Sequence, residues 1–203
     1  MKPAVAFAGS AASPDQFPRD LLPEVAFLGR SNVGKSSLLN ALAGTRNLAR
    51  VSGRPGRTRL VNFYRVGREM YLADLPGYGY ARVPEAMRRG WEELVTSYLV
   101  GRAALALGVF LVDLRHEPME GDELLRTFLD RHGLPYVIAA TKADTMGRGQ
   151  VSQRVQALRS GLGITALDVV AVSAKTGDGV QALWKTIREA AGRRREELKE
   201  EHA

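Results

Sequence analysis

The chain contains no cysteine. A disulfide scaffold and a thiolate metal site are both excluded, which fits a reducing compartment. Long apolar runs are missing as well. A membrane-spanning helix needs about 20 apolar residues, and the apolar stretch 103–114 is shorter and carries Asp113. Residues 1–10 hold one lysine and too little apolar length for a secretory signal. No internal repeat, low-complexity linker, lipidation motif or lipid-binding amphipathic helix is found. The expectation is a cytoplasmic protein with no membrane contact. Acid is in short supply: 22 Asp and Glu face 29 Lys and Arg, for a net charge of +7. Such an excess favours polyanionic partners, nucleic acid above all, unless the arginines are simply dispersed over the surface.

What is present suits one α/β domain. The 203 residues are 45% hydrophobic and 25% charged, enough for a core without staples. Apolar strand-like runs alternate with helix-like segments, the pattern of a parallel sheet covered on both faces. Strands are expected at 24–28, 60–66, 69–74, 108–113, 136–141 and 168–172, with helices at 35–43, 85–99, 121–131, 151–162 and 179–191. The expected fold is three-layered, a mostly parallel six-stranded sheet with one antiparallel edge strand. Residues 24–192 form the domain. Residues 1–23 are an extension that either adds an edge strand over 5–7 or stays disordered, and the charged tail 193–203 is expected to be solvated or frayed.

Gly29, Arg30, Ser31, Asn32, Val33, Gly34, Lys35 and Ser36 match G-x-x-x-x-G-K-[ST], after a strand and at the start of a helix. The glycines let backbone amides approach a β-phosphate, and the helix N-terminus adds partial positive charge. Lys35 is expected on the β- and γ-phosphates and the Ser36 hydroxyl on Mg²⁺. Asp74, Leu75, Pro76 and Gly77 form a D-x-x-G box at a strand end. That pattern occurs by chance in about one chain in two, so its position one hairpin after the phosphate loop is what carries meaning. Asp74 would hold Mg²⁺ through a water, and the Gly77 amide would donate to the γ-phosphate. Thr58, with Thr45 as competitor, would supply another Mg²⁺ ligand and order its loop when the γ-phosphate is present.

Thr141, Lys142, Ala143 and Asp144 read as a [NT]-K-x-D box, and Ser173, Ala174 and Lys175 follow the next strand. The Asp144 carboxylate can accept from guanine N1–H and the exocyclic amine, a donor pair adenine lacks. Lys142 would lay its stem along the base, and the Ala174 amide would donate to guanine O6. The expected activity is GTP hydrolysis to GDP, with an ATP-using P-loop enzyme as the alternative that only these last two boxes exclude. No glutamine occurs between Asp74 and Arg102, and Tyr78 stands where Ras-type GTPases orient the attacking water. Intrinsic hydrolysis should be slow. Asn32 either holds a K⁺ that supplies transition-state charge or only shapes the loop.

The runs PEVAFLGRSNVGKSSLLNAL, RPGRTRLVNFY and DLPGYGYARV resemble the EngB family of bacterial GTP-binding proteins, within the group related to Era. The resemblance implies GTP contacts at the phosphate loop, at Gly56, Arg57, Thr58, Arg59 and Leu60, and at the three boxes above, with Mg²⁺ on Ser36 and Thr58. It implies work on precursors of the large ribosomal subunit (rRNA and ribosomal proteins) and a need for the protein in normal septation. Thr145 departs from relatives that carry lysine there, and the tail matches no motif. Arg46, Arg50, Arg54, Arg57, Arg59, Arg65 and Arg68 crowd the loop and hairpin ordered by the γ-phosphate, with Arg82, Arg88 and Arg89 near the second loop. They would meet rRNA phosphates, or else form a solvated face with internal pairs. A GTP-dependent regulator of division without ribosome contact is the other reading. A monomer is expected.

Overall fold

A computed structural model describes residues 4–45, 47–49, 60–78, 85–164 and 169–202, with side chains left out between 85 and 92. Alternation along the strands decides the layers. In β2 (Glu24–Gly29), Val25 and Phe27 face one apolar layer while Ala26 and Leu28 face the other. β5 (Leu105–Asp113) repeats this, with Val109 and Leu111 against Phe110 and Val112. A strand buried on both faces reads as a continuous apolar run for this reason.

Two helices, α1 (Lys35–Ala43) and α5 (Val180–Glu201), cover the first layer with Leu38, Leu42, Leu183 and Ile187. Three others cover the second: α2 (Glu85–Gly101), α3 (Glu120–Arg131) and α4 (Arg148–Gly161). The remaining strands are β1 (Val5–Ala11), β3 (Val61–Val66), β4 (Met70–Asp74), β6 (Tyr136–Thr141) and β7 (Val169–Ala171). The sheet order is β1-β3-β4-β2-β5-β6-β7. β4, β2, β5, β6 and β7 run parallel, and β3 is antiparallel to both its neighbours.

The three-layer α/β expectation holds, with two corrections. The sheet has seven strands rather than six, because residues 5–11 pair with β3 and take the edge. β1 is built of Ala, Gly and Ser around Val5 and Phe7 and is mostly exposed. Of the two states expected for the extension, the edge strand is the one found, and it runs past residue 7 to Ala11 by backbone pairing with β3. The second correction is at the far end. α5 runs unbroken through the segment expected to fray, to Glu201. Leu198 is buried, Arg194 Nε donates to the Ala103 carbonyl at 2.8 Å, and the Arg195 guanidinium donates to the carbonyls of Arg68 and Glu69. A charged helix stays attached where its arginines find main-chain acceptors on other elements.

One buried charge network fixes the edge opposite the strand C-termini. Glu24, at the start of β2, is fully buried and accepts from Arg102 and from the Tyr98 hydroxyl at 2.8 Å. Burial pushes the Tyr98 hydroxyl well above its ordinary pKa, and the Glu24 charge adds to the rise. Arg102 also donates to the Pro18 carbonyl, and Phe17 packs edge-on against Phe63 and Tyr98. The end of α2 is thereby tied to the sheet and to the N-terminal segment.

Candidate functional site

The loops after β2, β4, β6 and β7 leave from the C-terminal edge of the parallel strands, where open α/β sheets bind ligands. The chain moves from β2 outward to β3 and β4, then crosses to β5 on the other side of β2. The phosphate loop thus leaves the central strand at the point where strand order reverses.

That loop is braced from the base-reading side. The Thr141 hydroxyl donates to the Val33 carbonyl at 2.7 Å, and Lys142 Nζ donates to the Asn32 carbonyl at 2.9 Å. Asn32 sits at φ +64°, a left-handed conformation that asparagine tolerates better than most side chains. Gly34, at φ +107°, caps α1. A Cβ there would meet nothing nearer than 3.9 Å, so the backbone angle, not space, calls for glycine.

Lys35, in the first turn of α1, is ion-paired with Asp74 at the end of β4. The two side chains are 11% and 6% exposed, so the pair is mostly dry. The sequence assigns one to phosphate and the other to metal. The two opposite charges offset each other at the foot of the phosphate loop. Among the described residues no group of three or more His, Cys, Asp or Glu gathers. The oxygen donors here are the Ser36 hydroxyl and the Asp74 carboxylate. Such a sparse, hard set suits Mg²⁺, which keeps several waters and takes its other ligands from phosphates.

The segments that follow β6 and β7 are joined by a side-chain hydrogen bond. Ser173 Oγ donates to Asp144 Oδ1 at 2.7 Å and accepts from the Lys175 and Thr176 amides at 3.2 and 3.1 Å. This uses the hydroxyl's full capacity and orients the carboxylate. Val33 and Leu75 are buried in the two apolar layers, so they offer a nucleotide only main-chain atoms. The Leu75 amide is already taken by the Phe27 carbonyl at 3.2 Å. Leu60 is 38% exposed at the foot of β3. Gly56, Arg57, Thr58 and Arg59 lie outside the described residues, as do Arg46, Arg50, Arg54 and Arg82. Of the described arginines of the hairpin, Arg65 pairs with Asp20 at 3.5 Å, and the hairpin's Glu69 takes Arg188 at 3.7 Å.

Asp113 was not singled out for the site. It ends β5 at the same edge, accepts Lys142 Nζ at 2.8 Å, and receives Arg115 Nε and Nη2 at 3.0 and 2.9 Å. Burial alone would raise its pKa, but the hydrogen bonds from Arg115 and Lys142 outweigh it and hold the carboxyl well below the usual carboxylate range. Asp113 and the Asn32 carbonyl therefore hold the Lys142 ammonium between them. The signal was available, since a lone carboxylate closed an otherwise apolar run. Asp122, buried on α3, also went unnoticed: it accepts the Tyr78 hydroxyl at 2.7 Å.

The family described as a 50S ribosome-binding GTPase matches residues 24–142. The chain is 46% identical over 181 residues to the probable GTP-binding protein EngB of Solibacter usitatus, covering 89% of this chain and 93% of that one. It is 44% identical over 191 residues to the probable GTP-binding protein EngB of Syntrophus aciditrophicus, covering 94% and 97%. Among solved structures, a probable GTP-binding protein engB superposes with a TM-score of 0.69 at 24% identity, covering 84% of this chain and 99% of that chain. The likeness in structure extends to the fold.

Proposed function

Because the chain belongs to the EngB family of GTP-binding proteins and is a GTPase, we propose that it acts as a Mg²⁺-dependent GTP switch on precursors of the large ribosomal subunit. The observation that carries the switch is the bracing of the phosphate loop by the base-reading segment through Lys142, which makes one site of both. Asp144, oriented by Ser173, and the Ala174 amide read guanine, Lys35 takes phosphate charge, and the Gly77 amide senses the γ-phosphate. Ser36, Asp74 through a water, and Thr58 would hold Mg²⁺, which would supply charge neutralisation at the phosphates. No described helix is long and apolar enough to cross a membrane, and action in the cytoplasm is part of this reading.

The ribosomal part is supported by the description of the matched family and by charge. Residues 45–59 carry five arginines and no carboxylate, a charge nearly as large as the whole chain's net +7, in the stretch that the sequence reading expects the γ-phosphate to order. Five phosphate contacts would cost about two to three orders of magnitude in affinity between roughly 50 and 200 mM salt. Sedimentation with large-subunit precursors should show that slope with a non-hydrolysable GTP analogue and weaker binding with GDP. Binding that ignores both salt and nucleotide would defeat the proposal.

Hydrolysis lacks the water-orienting glutamine, and Asn32 is exposed on the phosphate loop beside its contact with Lys142. A K⁺ held by the Asn32 amide oxygen would replace an arginine finger's charge. Turnover in KCl should exceed that in NaCl at equal ionic strength by about tenfold, roughly 1.4 kcal/mol of barrier. The difference should vanish in Asn32→Ala, and equal wild-type rates in the two salts dispose of the cation.

A further inference from the structure

Tyr78 directly follows the box that reads the γ-phosphate, and it is held from three directions. Its carbonyl accepts the Ser31 amide at 3.1 Å, as part of a parallel bridge between Arg30 and Tyr78. Its hydroxyl donates to Asp122 Oδ1 at 2.7 Å. Its ring lies on Gly121, where a Cβ would come within 3.1 Å of a ring carbon.

Asp122 is a rigid post for this contact. It is 3% exposed, its second oxygen accepts the Met119 amide at 2.9 Å at the start of α3, and Arg30 Nε lies 3.9 Å from its first. With both oxygens engaged, the carboxylate has one orientation. Burial, then the charge and hydrogen bond of Asp122, push the Tyr78 hydroxyl far above its ordinary pKa, so it remains a donor. The result is felt one residue upstream. A Cβ on Gly77 would lie 3.0 Å from the Ser31 amide and 3.2 Å from the Gly29 carbonyl, so the chain here is pressed onto the phosphate loop.

We propose that Asp122 is a positioning residue for γ-phosphate recognition, acting through Tyr78 to hold Gly77 against the phosphate loop before nucleotide arrives. This rests on the reading that the Gly77 amide meets the γ-phosphate. GTP uses that amide and GDP does not, so loosening Tyr78 weakens GTP alone. Pre-ordering the loop removes an entropy cost that binding would otherwise bear.

Tyr78→Phe removes one oxygen and keeps the ring packed, and Asp122→Ala removes the acceptor that the Tyr78 hydroxyl uses. Each should lower affinity for a non-hydrolysable GTP analogue about five- to tenfold and leave GDP within about twofold, as expected for one hydrogen bond to a charged group. The double variant should be no worse than either single one. Equal losses for both nucleotides, or no loss for the analogue, would overturn the role of Asp122. Gly77→Ala separates the two layers of the argument. If it leaves the preference for analogue over GDP unchanged, the reading of Gly77 itself fails. If it lowers that preference while Tyr78→Phe does not, only the part played by Asp122 fails.

Discussion

Asp144→Asn is expected to weaken GTP binding by about two to three orders of magnitude and to improve binding of xanthosine triphosphate. Ser173 Oγ holds one Asp144 oxygen at 2.7 Å, which leaves the carboxylate aimed as an acceptor for two donors on one base edge. Hydrogen bonds to a charged group are worth about 1.5–3 kcal/mol each, so two of them account for that range. Asparagine presents an amide N–H in place of one acceptor, which opposes guanine's exocyclic amine and matches the carbonyl xanthine carries there. The fold should be untouched, because the change is isosteric and the asparagine oxygen still accepts from the Ser173 hydroxyl. Titration with fluorescent GTP and XTP reads both effects. Retained preference for GTP over XTP would remove Asp144 from base recognition.

Lys35→Met should lower affinity for GTP and GDP alike by about three orders of magnitude, roughly 4 kcal/mol. It should also destabilise the ligand-free protein. Lys35 is ion-paired with the buried Asp74, and removing one member of such a pair costs about 3–5 kcal/mol. For a chain of this size that is a fall in Tm of about 6–20 °C, at about 2–4 °C per kcal/mol. Lys35→Met combined with Asp74→Asn separates the roles, since it should restore most of the stability and none of the binding. An unchanged Tm in Lys35→Met would mean the ion pair contributes nothing to the ligand-free state. Binding kept within tenfold would deny Lys35 its phosphate role.

The elements that were legible from sequence share one trait. α1 was readable over Lys35–Ala43, to its closing Gly44, because its start, apolar period and stop lie within ten residues. The hairpin around Gly67 and the strands ending at Asp74, Asp113 and Thr141 were readable for similar reasons. Each phosphate and base box is a contiguous word at a strand end. The chemistry of a carboxylate facing two donors, or of a lysine facing phosphate, is a property of those words.

What was left open or read wrongly depends on partners distant in the chain: the edge strand was one of two alternatives, and the tail was expected to fray. β1 exists because β3 offers it a backbone ladder, and the last turns of α5 persist because Arg194 and Arg195 reach carbonyls about 90 and 127 residues away. No local period announces either one.

The order of the boxes and the layered α/β plan were therefore decided by the sequence alone, since contiguous motifs and short-range apolar period suffice for them. Only the tertiary structure decided that Lys35 rests on Asp74, that Lys142 spans Asp113 and the Asn32 carbonyl, and that Asp122 holds Tyr78. Hydrogen bonds and ion pairs act over a few ångströms of space, and the fold, not chain order, determines which groups come that close.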